Sequence, residues 1–217
     1  LRRQRQMCIR DRFKQFLDEV PFWRPANREE LMLRKLVTDR YLSGWRDGTF
    51  PAGQGNLPVT YVSAYAAEAY CAWLSEKIRP RLPKYMVRLP RETEWEWAAA
   101  GGDPDRFITA RSHFLSDGVT APSSVGLSQP NQFGLSDMAG NVWEWCDDWF
   151  AKAAPFAGFL PREQRETAPR ANDGGDRSVR GGSWAEPSGS IAAYTRGVQP
   201  AEWCTPYLGF RPVVVSR

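Results

Sequence analysis

Apolar positions take helical spacing most clearly after Ser63, where Ala66, Ala69, Tyr70, Trp73 and Leu74 follow the i, i+3, i+4, i+7, i+8 rhythm of one buried face. That helix should stop before Pro80. A second helix is expected over residues 91–100, introduced by Pro90, opened by Glu92 and Glu94 and ended by Gly101 and Gly102. Trp95, Ala98 and Ala99 would form its inner face. Residues 13–20 and 27–37 mix apolar and charged positions at helix-compatible spacing, separated by Pro21 and Pro25, and read as short surface helices. Strand-like stretches are residues 57–62, running into the first helix, then 86–89, 142–150, 178–180 and 210–215. Residues 38–56, 103–130 and 151–176 have loop composition. No repeat or divider-like linker appears in the body, so the expectation is one compact, loop-rich α+β domain with irregular structure above the usual 40 per cent or so.

Charge changes this picture little. The net charge is +4, but Arg2, Arg3, Arg5, Arg10 and Arg12 stand in the first twelve residues against Asp11 alone, and the remainder balances at 24 basic and 24 acidic groups. A neutral body gives no reason to expect a nucleic-acid partner. No apolar run approaches the eighteen or so residues that cross a membrane, which implies a soluble protein with no membrane span and leaves its compartment, cytoplasmic or exported, unassigned. The segment Met7-Cys8-Ile9-Arg10-Asp11-Arg12 looks like translated adapter read-through from metagenomic DNA. Residues 1–12 are therefore expected to be a non-native or disordered leader, with an N-terminally truncated domain over 13–217. Cys8, Cys71, Cys146 and Cys204 are too widely spaced for a zinc signature, and three body cysteines leave at least one unpaired.

Candidate chemistry concentrates in Gly134-Leu135-Ser136-Asp137-Met138-Ala139-Gly140-Asn141-Val142-Trp143-Glu144-Trp145-Cys146-Asp147-Asp148-Trp149, a glycine-broken polar loop beside an aromatic strand. Arg180-Gly181-Gly182-Ser183-Trp184 and Gly209-Phe210-Arg211 follow. Together with Pro58-Val59-Thr60-Tyr61-Val62, the helix after Ser63, Arg88-Leu89-Pro90 and Glu94-Trp95-Glu96-Trp97-Ala98, these landmarks resemble the formylglycine-generating enzyme, or sulfatase-modifying factor, family, in order and spacing from about Phe13 onward. The resemblance implies a C-type lectin-like fold. The N-terminal strand that usually opens that domain is not in this chain.

Copper-dependent members of the family carry two catalytic cysteines shortly after the Gly-Gly-Ser landmark. Near those places stand Glu186 and Ile191, with no thiol between residues 184 and 194. Cuprous ion needs soft thiolates, so neither formylglycine generation nor bound copper is expected. The iron-dependent branch draws on a histidine-rich domain, whereas this chain has His113 alone, and no iron is expected either. By resemblance, a structural calcium would be held by the side chains of Asp137 and Glu144 and the carbonyls of Gly140 and Val142, a set of hard oxygens suited to that ion. The family's second calcium site has no counterpart in residues 112–124. The alternative is that Asp137 caps a turn while Glu144 makes a buried salt bridge to Arg180 or Arg211. Those arginines are expected to tie loops together, with Glu94 as a partner.

Residues 185–208 combine aromatic anchors with adaptable polar groups, as recognition surfaces do. They fill the interval that retroelement-diversified variable proteins of this fold randomise; an ordinary loop region is the alternative. Trp184, Glu186, Ser190, Tyr194, Arg196, Trp203 and Tyr207 are expected to line a face for an unknown protein or small-molecule ligand. The resulting expectation is a non-catalytic binding module. The competing one is a subunit or fragment of an iron- or copper-dependent oxidoreductase whose metal ligands lie on another domain.

Overall fold

A computed structural model describes residues 7–103, 114, 118–150 and 175–217. Helix α1 (Arg10–Glu19) turns Phe13, Phe16 and Leu17 inward at i, i+3, i+4 spacing. Phe13 stacks on Tyr70 with ring centroids 5.9 Å apart and meets Phe210 edge-on at 6.2 Å. The segment expected as a surface helix therefore lies in the main core. Residues 7–12, expected outside the domain, are also part of it: Met7 and Cys8 are buried, the Cys8 amide donates to the Phe210 carbonyl at 2.9 Å, and its carbonyl accepts from the Val59 amide at 2.9 Å.

Two 3-10 turns, Pro21–Trp23 and Pro25–Asn27, each begin with proline, whose fixed φ suits a first helical position. Helix α2 (Arg28–Leu33) is shorter than its apolar pattern suggested, because Lys35 adopts a left-handed φ of 56° and ends it. Helix α3 (Ala64–Ile78) is capped by Ser63, whose hydroxyl accepts from the Ala66 amide at 3.1 Å. It buries Ala66, Ala67, Tyr70 and Cys71 and ends short of Pro80, as expected. Strand β1 (Tyr85–Arg88) leads into helix α4 (Glu92–Ala99). At its start the Glu94 carboxylate accepts from the Arg91 amide at 2.8 Å.

Four strands form the central sheet: β2 (Trp143–Trp149), β3 (Asp176–Arg180), β4 (Arg196–Pro200) and β5 (Leu208–Phe210). Their order is β4-β3-β2-β5, with β2 and β5 parallel and the other neighbours antiparallel. Strand β6 (Val213–Ser216) pairs with β1 in a separate two-stranded sheet. The single strand expected over 210–215 is thus two, divided at Pro212, which has no amide to donate to a ladder. Residues 57–62 form no strand beyond an isolated bridge of Pro58 with Ile9, and Tyr61 takes a positive φ of 58°. Strand β4 was missed because Arg196-Gly197-Val198-Gln199-Pro200 neither alternates nor avoids glycine and proline.

The pleat of β2 separates two environments. Trp145 enters the main core beside α1 and α3, whereas Cys146 packs with Trp95 and Met138 under α4. This second face also carries Glu144 and Asp148, so charged groups mediate much of the contact between α4 and the sheet.

Candidate functional site

The loop before β2 is shaped by left-handed residues: Gly134, Asp137, Gly140 and Asn141 have φ of 72°, 59°, 78° and 65°. Asp137 is buried, and its carboxylate accepts from the amides of Gly126 and Ser128, the latter at 3.2 Å, while its own amide donates to the Ser128 hydroxyl. Asn141, which the sequence did not single out, binds the Ser123 amide and carbonyl at 3.0 and 3.2 Å. Its buried amide side chain staples the 118–128 loop to the start of β2. The Gly140 amide donates to the Gly181 carbonyl at 2.8 Å, and Val142 packs beside Gly209.

Glu144 is 1% exposed and accepts from the Trp95 indole at 2.7 Å and from Arg211 Nε and Nη2 at 3.1 and 2.8 Å. Arg211 Nη2 also reaches the carbonyls of Ser136 and Asp137 at 3.0 and 3.3 Å. Both carboxylates of the expected calcium set are therefore spent on protein donors, and a dication at Glu144 would adjoin the buried guanidinium. Among the described residues no group of three or more His, Cys, Asp or Glu side chains is placed to hold a metal ion. This bonding is the arrangement of the alternative reading, a turn-capping aspartate and a buried ion pair.

Arg180, 2% exposed, pairs with Glu96 and lies 3.4 Å from Glu92, and it donates to the carbonyls of Ala193 and Thr195 at 3.1 Å each. Arg196 grips Glu92 through two 2.7 Å bonds and stacks over Phe150 at 4.6 Å. Glu94, expected to serve Arg180 or Arg211, turns instead to Arg88 in a two-pronged 2.7 Å pair. The partners that the sequence reading missed are Glu92 and Glu96, one helical turn apart on the inner face of α4. That i, i+4 spacing was the available signal. Bonding to Glu92 raises the Arg196 pKa, and bonding to Glu94 raises that of Arg88. Burial would push the Glu94 carboxyl upward, but Arg88 and the Arg91 amide bring it below its ordinary value. Asp148, which accepts from the Glu92 amide at 2.6 Å, is raised by burial and by the charges of Glu92 and Asp147.

Beyond Arg180 the chain enters the expected binding face. Glu186 accepts from the Ser183 amide at 2.8 Å, from its hydroxyl, and from the Trp143 indole at 3.0 Å, so it closes its own loop. Ile191 is 8% exposed, packs with Phe114 and Ala139, and fills the space beside Gly182, where an added Cβ would stand 2.7 Å from it. Ser190 is exposed and donates to the Pro187 carbonyl at 2.7 Å. Tyr194 is 61% exposed, and Trp184 is half-buried with an indole N–H that has no partner among the described residues. Trp184, Glu186, Ser190 and Tyr194 thus share the end of the sheet at which β3 ends and β2 begins. Arg196 and Tyr207 reach the same end but serve the scaffold, Arg196 through Glu92 and Tyr207 through core packing and a carbonyl that accepts from the Trp143 amide at 2.8 Å. Trp203, 43% exposed, lies apart, on the crossover that returns from the far end of β4 to β5. The seven residues do not make one patch, and His113 lies outside the described residues.

The profile of the sulfatase-modifying factor enzyme 1-like domain matches residues 11–216. The chain belongs to the sulfatase-modifying factor family. It is 34% identical over 145 residues to the formylglycine-generating enzyme of Thermomonospora curvata, a match covering 55% of this chain and 44% of that enzyme. It is 28% identical over 233 residues to the inactive C-alpha-formylglycine-generating enzyme 2 of Bos taurus, covering 94% of this chain and 62% of that protein. The chain thus spans less than two thirds of these curated relatives, which include both active and inactive proteins. Among solved structures, Treponema denticola variable protein 1 superposes with a TM-score of 0.63 at 26% identity, covering 87% of this chain and 81% of that one. The fold is that of the family, a single α+β domain.

In this member of the family all four cysteines are free and buried. Burial pushes the Cys8 thiol up to about 12 and the Cys204 thiol up to about 11, and raises Cys71 and Cys146 well above the ordinary thiol value. None lies at the Glu186 and Ile191 positions. Among the described residues no helix is long and apolar enough to cross a membrane.

Proposed function

We propose that this domain is a non-catalytic binding module on the sulfatase-modifying factor scaffold, with its recognition face at the sheet end that carries Trp184, Ser190 and Tyr194. The observation that carries this reading is the fate of the two positions near the catalytic cysteines of active relatives. Glu186 locks the Ser183 turn and Ile191 is a core residue. Neither supplies a soft ligand or a nucleophile, and the buried, protonated thiols lack the thiolate character that copper ligation requires. Nearby, Tyr194 is exposed and Trp184 is half-buried, and their aromatic surface suits recognition. The match to an inactive paralogue and the likeness to a variable protein agree with such a role. In the same reading the central loop is held by Arg211 and the Asp137 turn, with no need of a metal.

The test is to load the purified domain with cuprous ion and incubate it with a cysteine-containing peptide under air. The expected result is no aldehyde by mass spectrometry and no copper retained after desalting. Aldehyde formation, or copper held at one equivalent, would overturn the proposal.

A further inference from the structure

Glu92 serves two arginines and satisfies them unequally. Its carboxylate takes two 2.7 Å bonds from Arg196, Oε1 from Nε and Oε2 from Nη2. Arg180 Nε lies 3.4 Å from the same Oε1 but makes no hydrogen bond to it, and this buried N–H has no other partner among the described residues. The remaining nitrogens of that guanidinium are in use: Nη2 donates to Glu96, and Nη1 to the carbonyls of Ala193 and Thr195. A buried donor left idle is costly, and its presence calls for a physical reason.

Strand register makes the two arginines neighbours. Arg180 on β3 faces Arg196 on β4 across the antiparallel ladder, and α4 brings Glu92 to both. Oε1 therefore has two donors within reach, and a move of about 0.5 Å toward Arg180 would give an ordinary N–H···O length. Oε2 can stay on Arg196 Nη2 throughout. The exchange is one bond for one bond, and it transfers the idle donor from Arg180, whose side chain is 3% exposed, to Arg196, 22% exposed, where water can satisfy it. Opposing it, the fork of Arg196 matches both carboxylate oxygens in one plane, and Phe150 stacks on that guanidinium at 4.6 Å. Burial favours one grip and geometry the other, which is the condition for two populated arrangements.

We propose that Glu92 is a two-position switch, its Oε1 exchanging between Arg196 Nε and Arg180 Nε, and that this exchange sets how firmly the end of the 184–195 excursion is held. Arg180 clamps the carbonyls on both sides of Tyr194, and Arg196 follows Thr195 directly, so the two grips brace the same backbone from different residues. With Glu92 on Arg196 the start of β4 is pinned. With Oε1 on Arg180 the clamp around Tyr194 tightens and the start of β4 is loosened. As a control on recognition, the switch rests on the reading of the Trp184 and Tyr194 face as a binding surface; as a motion it stands without it.

Nitrogen relaxation-dispersion NMR on the free protein tests the switch, because a bond exchange that carries backbone with it falls in the μs–ms range. The Nε–H groups of Arg180 and Arg196 and the Tyr194 amide should share one exchange rate. Phe150→Leu removes the stack that favours the Arg196 grip, so it should move the Arg180 Nε proton downfield, toward a bonded donor, and the Arg196 Nε proton upfield. Glu92→Gln keeps the shape of the side chain without its charge and should abolish the shared exchange at all three groups. Flat profiles at both arginines, unequal rates at the three groups, or Nε shifts indifferent to Phe150→Leu would each overturn the proposal, since Glu92 would then hold one fixed position. None of these readouts involves a ligand or copper. Their failure leaves the binding-module reading standing, and aldehyde formation would overturn that reading without altering the exchange.

Discussion

The Glu144 carboxylate and the Arg211 guanidinium meet inside the protein at 2.8 Å, with the Trp95 indole on the carboxylate and two loop carbonyls on the guanidinium. One pair thus joins β2, the end of β5, helix α4 and the loop at 136–137. Removing one member leaves a buried charge without its counter-ion, the costly outcome for such pairs. Arg211→Met should lower stability by about 3–5 kcal/mol in urea unfolding, and adding Glu144→Leu should recover a large part of that loss. A single substitution costing under about 1 kcal/mol would show the pair to be incidental.

Calcium removal should do nothing. Because Asp137 is bonded to the 126 and 128 amides and Glu144 to Arg211, the melting temperature in chelator should equal that in millimolar calcium. A ligand at 100 times its dissociation constant adds about 2.7 kcal/mol, an effect easily seen in a thermal melt. A rise of several degrees with calcium would restore the metal reading.

Ile191 and Gly182 should behave as a coupled pair. Gly182 has a φ of 74°, and an added Cβ there would stand 2.7 Å from Ile191 Cγ1. Gly182→Ala should cost about 1 kcal/mol or more through strain and contact, and Ile191→Ala about 2–5 kcal/mol as a cavity. The double variant should lose less than the sum, because truncating Ile191 makes room for the methyl group. Chemical denaturation of the three variants measures this; strict additivity would contradict the packing.

Two carboxylates in the α4 seam should give pH effects of opposite sign. The Glu94 pKa is lowered in the folded state, so its contribution is present above the unfolded value near 4.5 and disappears as pH falls through the folded one. Glu94→Gln should remove that acid-side loss. Asp148 is raised above its ordinary 3.8, so its contribution is present below that value and is lost as pH rises through the folded pKa. Asp148→Asn should therefore improve relative stability on the alkaline side of that window. Urea midpoints measured from pH 3 to 8 would show the two slopes changing in opposite directions; parallel changes would refute the assignment.

How far the sequence disclosed this arrangement depended on how local the cause was. Helix α3 was legible because its apolar stripe is bracketed in sequence by Ser63 and Pro80, and α4 because its acidic first turn is bracketed by Pro90 and Gly101. Strand β2 announced itself by its aromatics. The inward face of α1 was not legible, since only Tyr70, Trp45 and Phe210, distant in sequence, show where Phe13 points. Residues 57–62 carried strand composition, but the conformation of Tyr61 depends on the crossover at 205, whose carbonyl accepts its amide at 2.9 Å. In the site, the sequence indicated a buried arginine partner for Glu144 and left Arg180 and Arg211 as alternatives, between which the fold chooses Arg211. Glu94, in the obvious landmark, bonds to Arg88, whereas Glu92 and Glu96 face the sheet. Trp203 shares the composition of the recognition segment, and only the topology separates it from Tyr194.

The charged seam under α4 also bears on which parts of the molecule can vary. An apolar interface would let a helix roll to a neighbouring groove with modest loss, but a guanidinium bonded in a fixed plane to one carboxylate tolerates little rotation. With Arg180 on Glu92 and Glu96, Arg196 on Glu92, and Asp148 on the first turn, α4 is keyed to one orientation on the sheet. The same Arg180 holds the carbonyls of Ala193 and Thr195, fixing the C-terminal end of the 184–195 excursion on both sides of Tyr194 while leaving its tip at Ser190 outside the lock. New sequences can therefore be tried at that tip without the frame losing its register.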